Sequence, residues 1–187
     1  MNDTENKDIP RTAEQIARRS IVLHCIIAAA HGVSKPDISD WQQVEGLWAE
    51  LSPRELQFMK QEGNSESEIN WMTWLVEAQV ALLWSIKKID KLPSLNTQCN
   101  TGLLVEAMPG LFESTNSFTE SAVHRDLKEL QIYEEKLYNM RCDHAQAQKN
   151  SVISKDIKKE MAFFRLYGFS WIVGYCNQLW DEITPDT

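Results

Sequence analysis

Residues 71–90 read WMTWLVEAQVALLWSIKKID, three tryptophans and one glutamate in an otherwise apolar stretch. A helix advances ~100° per residue. On that wheel Met72, Leu75, Val76, Leu83 and Ile86 share one side, and Trp71, Trp74, Ala78, Leu82 and Ile89 cover the next. Thr73, Glu77, Lys87 and Lys88 leave only a narrow polar stripe. A helix apolar over most of its circumference must be covered by neighbours on several sides. The stretch is therefore the expected central helix of the fold, over about 66–89, with Trp71 and Trp74 in the core. Deleting a large buried aromatic costs ~3–5 kcal/mol, which is the expectation for Trp71→Ala.

The rest of the chain supplies its coverings. Thr12 with Gln15, Ser39 with Gln42, Ser52 with Glu55, Ser65 with Glu68 and Ser117 with Glu120 have the spacing of capping boxes. Pro53 stands at a first helical position, where a missing N–H costs nothing. Helices are expected from Thr12 to about His31, from Ser39 to about Gly46, from Ser52 to before Gly63, and from Ser65 to the KLP at 91–93. Two more are expected, from Ser117 through His144 and from Ser154 to about Asp181. Residues 93–117 fit either a short helix broken at Pro109 or a strand. With few glycines and prolines and no internal repeat, the expectation is an all-α fold. It is a single-domain bundle of six or seven helices over 12–187, preceded by a disordered tail over 1–11.

Composition excludes several functions. The net charge is −8 and the pI about 5.0, and no Lys/Arg cluster is interleaved with aromatics. Nucleic-acid binding, which depends on cations displacing counterions from phosphates, is not expected. The longest apolar run, IVLHCIIAAA, is too short to cross a membrane and contains a histidine. Cys25, Cys99, Cys142 and Cys176 lie far apart with no zinc-like spacing. They read as small buried hydrophobes of a reducing, cytoplasmic compartment. His24 and His31 are seven residues apart, about 10.5 Å along a helix, too far to share a metal. No Walker, dinucleotide or nucleophile-elbow fingerprint occurs. Neither a cofactor nor a metal site is expected.

What remains is a set of polar residues in apolar company. Gln79 falls among Leu75, Leu83 and Ile86, and Trp84 stands on the polar stripe two turns after Glu77. Either Glu77 and Trp84 line a ligand cleft, or Glu77 is a structural acid paired with an arginine. Two arginines are aimed inward. Arg19 shares a side with Val22, Leu23 and Ile26, and Arg165 with Phe169, Ile172 and Cys176. Glu134 interrupts the Val123–Leu127–Leu137 stripe, with Arg141 on the same side. Since buried charges need partners, and a guanidinium holds a carboxylate by two hydrogen bonds, an interhelical network is expected. It should pair Arg19 or Arg165 with Glu77, Glu134 or Asp181. Gly168 and Gly174 inside RLYGFSWIVGYCNQLW mark close approaches, since glycine in a helix costs ~1 kcal/mol against alanine.

ARRS at 17–20, VEGLWAELSPRE at 44–55, WLVEAQVALLWSIKKIDKLP at 74–93 and FSWIVGYCNQLWDEITPDT at 169–187 resemble a bacterial family catalogued as domain of unknown function 4272. The most specific part is the ending, a Trp-x-x-Gly-Tyr helix, then Trp-Asp and a Thr-x-Asp-Thr tail. The resemblance implies a bacterial, cytosolic, single-domain protein. It implies no activity and no catalytic residue. Arg19, Glu77, Trp84, Trp180 and Asp181 lie in the matching stretches. Two functions are carried forward. One is a non-enzymatic binding protein that masks a basic partner such as a toxin or nuclease. The other is a small-molecule enzyme using an acid, Glu77 or Asp181, in a Trp-lined cleft.

Overall fold

The computed structural model describes residues 8–96, 99–148 and 157–185, the side chains of 144–148 and 157–158 excepted. Eight α-helices and no strand occur among the described residues. They are α1 (Ala13–Ala30), α2 (Lys35–Val44), α3 (Pro53–Lys60), α4 (Glu66–Ser85), α5 (Thr101–Ala107), α6 (Asn116–Glu120), α7 (Leu127–Gln148) and α8 (Ile157–Val173). Single 3₁₀ turns form at Trp48–Glu50, Tyr175–Asn177 and Trp180–Glu182. The expected central helix is α4. It packs against α1 and α8, and α8 packs in turn against α7. The buried apolar residues form one cluster drawn from these helices and their connections. In the ambiguous stretch at 93–117, α5 forms a short helix that ends before Pro109, and with α6 it raises the count above six or seven among the described residues.

Local chemistry sets the helix starts. Thr12, Ser52 and Ser65 each accept a hydrogen bond from the N–H three residues on, and the side-chain oxygens of Gln15, Glu55 and Glu68 accept one from the cap N–H. Two expected starts differ. α2 opens five residues early because Ser34 caps it, and Ser39 sits inside the helix with its hydroxyl on the Lys35 carbonyl at 2.8 Å. Ser117 likewise lies inside α6. The helix expected from Ser117 through His144 is interrupted at 121–126. There the N–H groups of Val123 and Arg125 bond the carbonyls of Ile86 and Ser85, at 3.4 and 2.8 Å. A segment that satisfies the end of α4 cannot also be helical. The cap expected at Ser154 lies outside the described residues, as does the side chain of His144.

Two helices end earlier than expected. α4 stops at Ser85, well before Pro93, because Lys87 turns into the left-handed region at φ 60°. Its end is closed by Lys88 N–H on the Leu83 carbonyl at 2.9 Å. α8 stops at Val173 rather than near Asp181, because Gly174 adopts φ 75°. A Cβ on Gly174 would collide with the Ile9 carbonyl, so the visitor at this glycine is the N-terminal segment. Residues 8–11, placed by the sequence in the tail, are tied to this corner. Arg11 N–H bonds the Ile172 carbonyl, Ile9 N–H bonds Asn177 Oδ1, and Asp8 accepts from Cys176 N–H, each at 2.9 Å. Residues 1–7 lie outside the described residues. Gly168 serves the other close approach. A Cβ there would stand 2.9 Å from the Ala78 carbonyl and 3.1 Å from Ala81 Cβ, so α8 rests directly on the backbone of α4.

Candidate functional site

Glu77 is fully buried on α4. Its Oε2 accepts from Arg165 Nε at 2.8 Å and its Oε1 accepts from the Cys99 N–H at 3.0 Å. Arg165, 3% exposed, also donates to the carbonyls of Pro93 and Ser94. Charge and backbone are thereby joined: one ion pair ties α4, α8, Pro93, Ser94 and Cys99 together. Both oxygens of Glu77 are occupied, so the carboxylate is not poised to take a proton from a substrate. The thiol of Cys99 beside it is pushed up to about 11, first by burial and then by the Glu77 charge. Burial pushes Cys25 up to about 12. Both are poor nucleophiles, since the thiolate is the reactive form. All four cysteines are free; Cys142 is half-buried and Cys176 exposed, against the expectation that each is buried.

Arg19 builds a second pair. Its guanidinium bonds Glu55 and, at 3.0 Å, the Glu50 carbonyl, and its face lies 4.4 Å from the Trp180 ring. Glu55 holds Arg19 with Oε1 while its Oε2 accepts the Ser52 N–H of the capping box at 2.9 Å. Tyr167 donates its hydroxyl to the Trp180 carbonyl, and burial first, then Asp181, raises its pKa. Asp181 goes elsewhere than expected. Its Oδ2 accepts the Arg54 N–H at 2.8 Å, at the first turn of α3, where a helix leaves donors without partners. Trp171, Trp180, Asp181, Glu182, Arg18 and Glu50 together line an open cleft of about 550 Å³. Within it Arg18 and Glu50 pair with each other.

Trp84, Gln79 and Glu134 occupy other positions. Trp84 is 4% exposed, edge-on to Tyr133 at 4.7 Å and to Phe169 at 5.9 Å. The Arg125 guanidinium covers it at 4.5 Å while donating to the carbonyls of Trp84, Ile89 and Asp90. A cation placed on the last carbonyls of a helix also meets the negative end of its dipole. Trp71 and Trp74 pack against the core cluster and are half-buried. They form an aromatic rim with Phe163, Phe164 and Tyr167. The Trp71 face takes Arg54 at 4.0 Å. Gln79 Nε2 donates to the Ser20 carbonyl at 3.1 Å, joining α4 to α1. Glu134 accepts from Ser170 at 3.1 Å. Its partner is therefore a hydroxyl on α8 and neither Arg19 nor Arg165.

The eight residues singled out from the sequence thus divide. Glu77 and Arg165 meet, Arg19 meets Trp180, and Asp181 lies beside that second pair. Gln79, Trp84 and Glu134 stand apart. Glu55 and Arg125 were missed. Glu55 had a signal, but the capping box accounts for only one of its two oxygens. Arg125 sits in no periodic pattern. No group of three or more His, Cys, Asp or Glu among the described residues has metal-binding geometry.

Glu134 carries a pH prediction. Burial, followed by the nearby charges of Glu135 and Asp8, raises its pKa, while Ser170 opposes the shift. A carboxyl whose folded pKa exceeds its unfolded value contributes stability at low pH and loses it as pH rises through the folded value. Glu134→Gln should therefore raise the urea midpoint at pH 7 and lose that gain at pH 4. An equal shift at both pH values would refute the assignment.

No helix among the described residues is long and apolar enough to cross a membrane. No curated protein and no solved structure matches the chain. A family model described as Domain of unknown function (DUF4272) matches residues 2–183 of the 187. That span takes in both buried ion pairs, the Trp171–Trp180 cleft and every helix of the fold, and the chain belongs to this family.

Proposed function

We propose that the protein is a non-enzymatic binding protein that acts through its acidic surface on a basic protein partner, in a bacterial cytoplasm. One observation carries the reading. None of the arginines is exposed: Arg11, Arg18, Arg19, Arg54, Arg125, Arg141 and Arg165 are all half-buried or buried. They are held by the protein's own rings, carbonyls and carboxylates. The outward cations among the described residues are Lys60, Lys87, Lys91, Lys128 and Lys136. Against them stand exposed acids, Glu62, Glu66, Asp90, Glu106, Glu113, Glu135 and Asp143 among them. Arg19 and Arg165 are cancelled by Glu55 and Glu77, so the net charge of −8 falls to the remaining, more exposed groups. Such a field steers a basic partner and repels nucleic acid. The locked carboxylates of Glu77 and Glu55 support a role without catalysis.

The test is capture of partners on the immobilised full chain from a lysate of its native cell. A basic protein should be held at low salt and released as salt shortens the screening length below ~8 Å. Reversing Glu62, Glu106 or Glu135 to lysine should slow its association more than it speeds release. Salt-insensitive capture, or a partner that is not basic, would overturn the proposal. The second reading, an acid in a Trp-lined cleft, is favoured by one observation: exposed Asp181 lies in the 550 Å³ cleft beside Trp171 and Trp180. Turnover of a small molecule by the purified protein, abolished by Asp181→Asn without unfolding, would put that reading in place of the first.

A further inference from the structure

On the side of α4 away from α8, a hollow of about 450 Å³ opens between α1, α4, α5 and the Pro109–Leu111 turn. That volume is in the usual range for small-molecule sites, ~300–1,000 Å³. Its walls are mostly apolar, from Ile27, Val76, Leu104 and Leu111. No lysine, arginine, aspartate or glutamate lines it. The polar groups are few: chiefly His24 and His31, two turns apart on α1, and Gln79 on α4.

Gln79 is 1% exposed. Its amide nitrogen is used by the Ser20 carbonyl, and its carboxamide oxygen has no hydrogen-bond partner among the described residues. The side chain lines the hollow, so that oxygen is available to a ligand there. His24 is half-buried, and its ring nitrogens likewise have no partner among the described residues. Burial lowers its pKa, which favours the neutral ring with one donor and one acceptor. The ion pair of Glu77 and Arg165 bears on the same place, because Glu77 also holds the Cys99 N–H, two residues before α5.

We propose that this hollow binds an uncharged, largely apolar small molecule carrying a single hydroxyl or amide, which bonds the His24 ring and the Gln79 carboxamide. The apolar walls take the body of the ligand. An ion entering here would lose its hydration with no opposite charge to meet it. A neutral head group satisfies the two unpartnered groups without that cost. The site is independent of the acidic surface, so either proposal stands if the other fails.

The experiment uses the full chain and two probes of equal length, 1-octanol and octanoate, followed by calorimetry and by ¹H–¹⁵N NMR. At pH 7 octanol should bind saturably, with shift changes concentrated at 24–31, 76–79 and 101–111. Octanoate should bind at least ten-fold more weakly. Ala28→Trp, which fills the hollow, should abolish octanol binding. His24→Phe keeps the apolar bulk and should weaken octanol about five-fold, the worth of one net hydrogen bond. Octanoate binding as tightly as octanol would overturn the choice of ligand class. Non-saturable binding, shifts concentrated elsewhere, or unchanged affinity in folded His24→Phe would overturn the site. That second variant decides the matter even if Ala28→Trp fails to fold.

Discussion

Glu77→Ala should destabilise the protein by about 3–5 kcal/mol, the usual cost of breaking a buried ion pair by removing one partner. The alanine leaves the Arg165 guanidinium buried and the Cys99 N–H without its acceptor. Replacing both members with apolar residues, Glu77→Leu with Arg165→Met, should cost far less, because no charge is then stranded. Urea unfolding of the two single variants and the double variant gives the coupling. A loss below about 1 kcal/mol for Glu77→Ala, the level of an exposed pair, would mean that the pair does not behave as buried. Hydrogen exchange supplies a second reading. The Cys99 amide should lose protection before α4 does, since Glu77 is its acceptor.

Trp84→Ala should also cost about 3–5 kcal/mol, the range for removing a buried aromatic. Trp71→Ala should cost roughly half as much, in proportion to the smaller area it hides. The ranking reverses the importance that sequence pattern assigned to the two rings. Trp84 is 4% exposed and touches Tyr133, Phe169 and the Arg125 guanidinium. Trp71 is half-buried at the rim. Removing Trp84 also unseats Arg125, which holds the Trp84 carbonyl at the end of α4 and the Ile89 and Asp90 carbonyls beyond it. Fraying of residues 84–90 should accompany the loss, visible as faster amide exchange there. Equal destabilisation by the two variants would contradict the burial difference.

The wheel failed at Trp84 for a definable reason. Helical projection sorts residues by the side they face, and it marks a side as wet when charges lie on it. Glu77 marked that side as wet. Once the arginine of α8 neutralises Glu77, the same side becomes buried, and Trp84 with it. Trp71 and Trp74 pack against the core as expected, yet stay half-buried. They stand near the start of α4, where covering depends on how far α8 extends past them. Nothing in residues 66–85 encodes that distance. The candidate site was legible to a similar degree. Arg19 and Arg165 are identifiable as inward cations from their helical neighbours alone, and the need for acids opposite them follows from the cost of an unpaired buried charge. The hollow beside His24 was not legible, because its walls come from three helices and a turn.

The sequence by itself determined the all-α class, the central helix and the helix starts at Thr12, Ser52 and Ser65. Caps act between residues three apart, and apolar periodicity is written within one helix, so both are local and survive translation into pattern. It also determined that Gly168 would face a close neighbour. Only the tertiary structure decided which acid each arginine received, Glu55 for Arg19 and Glu77 for Arg165. Only it decided where α4 and α8 end. Those outcomes rest on contacts between distant parts of the chain: Arg125 with the Trp84 carbonyl, Arg165 with Glu77, Ile9 against Gly174. A carboxylate attracts any cation within reach, and a helix continues until something else claims its terminal groups. Which cation is within reach, and what claims those groups, is fixed by the packing of whole helices.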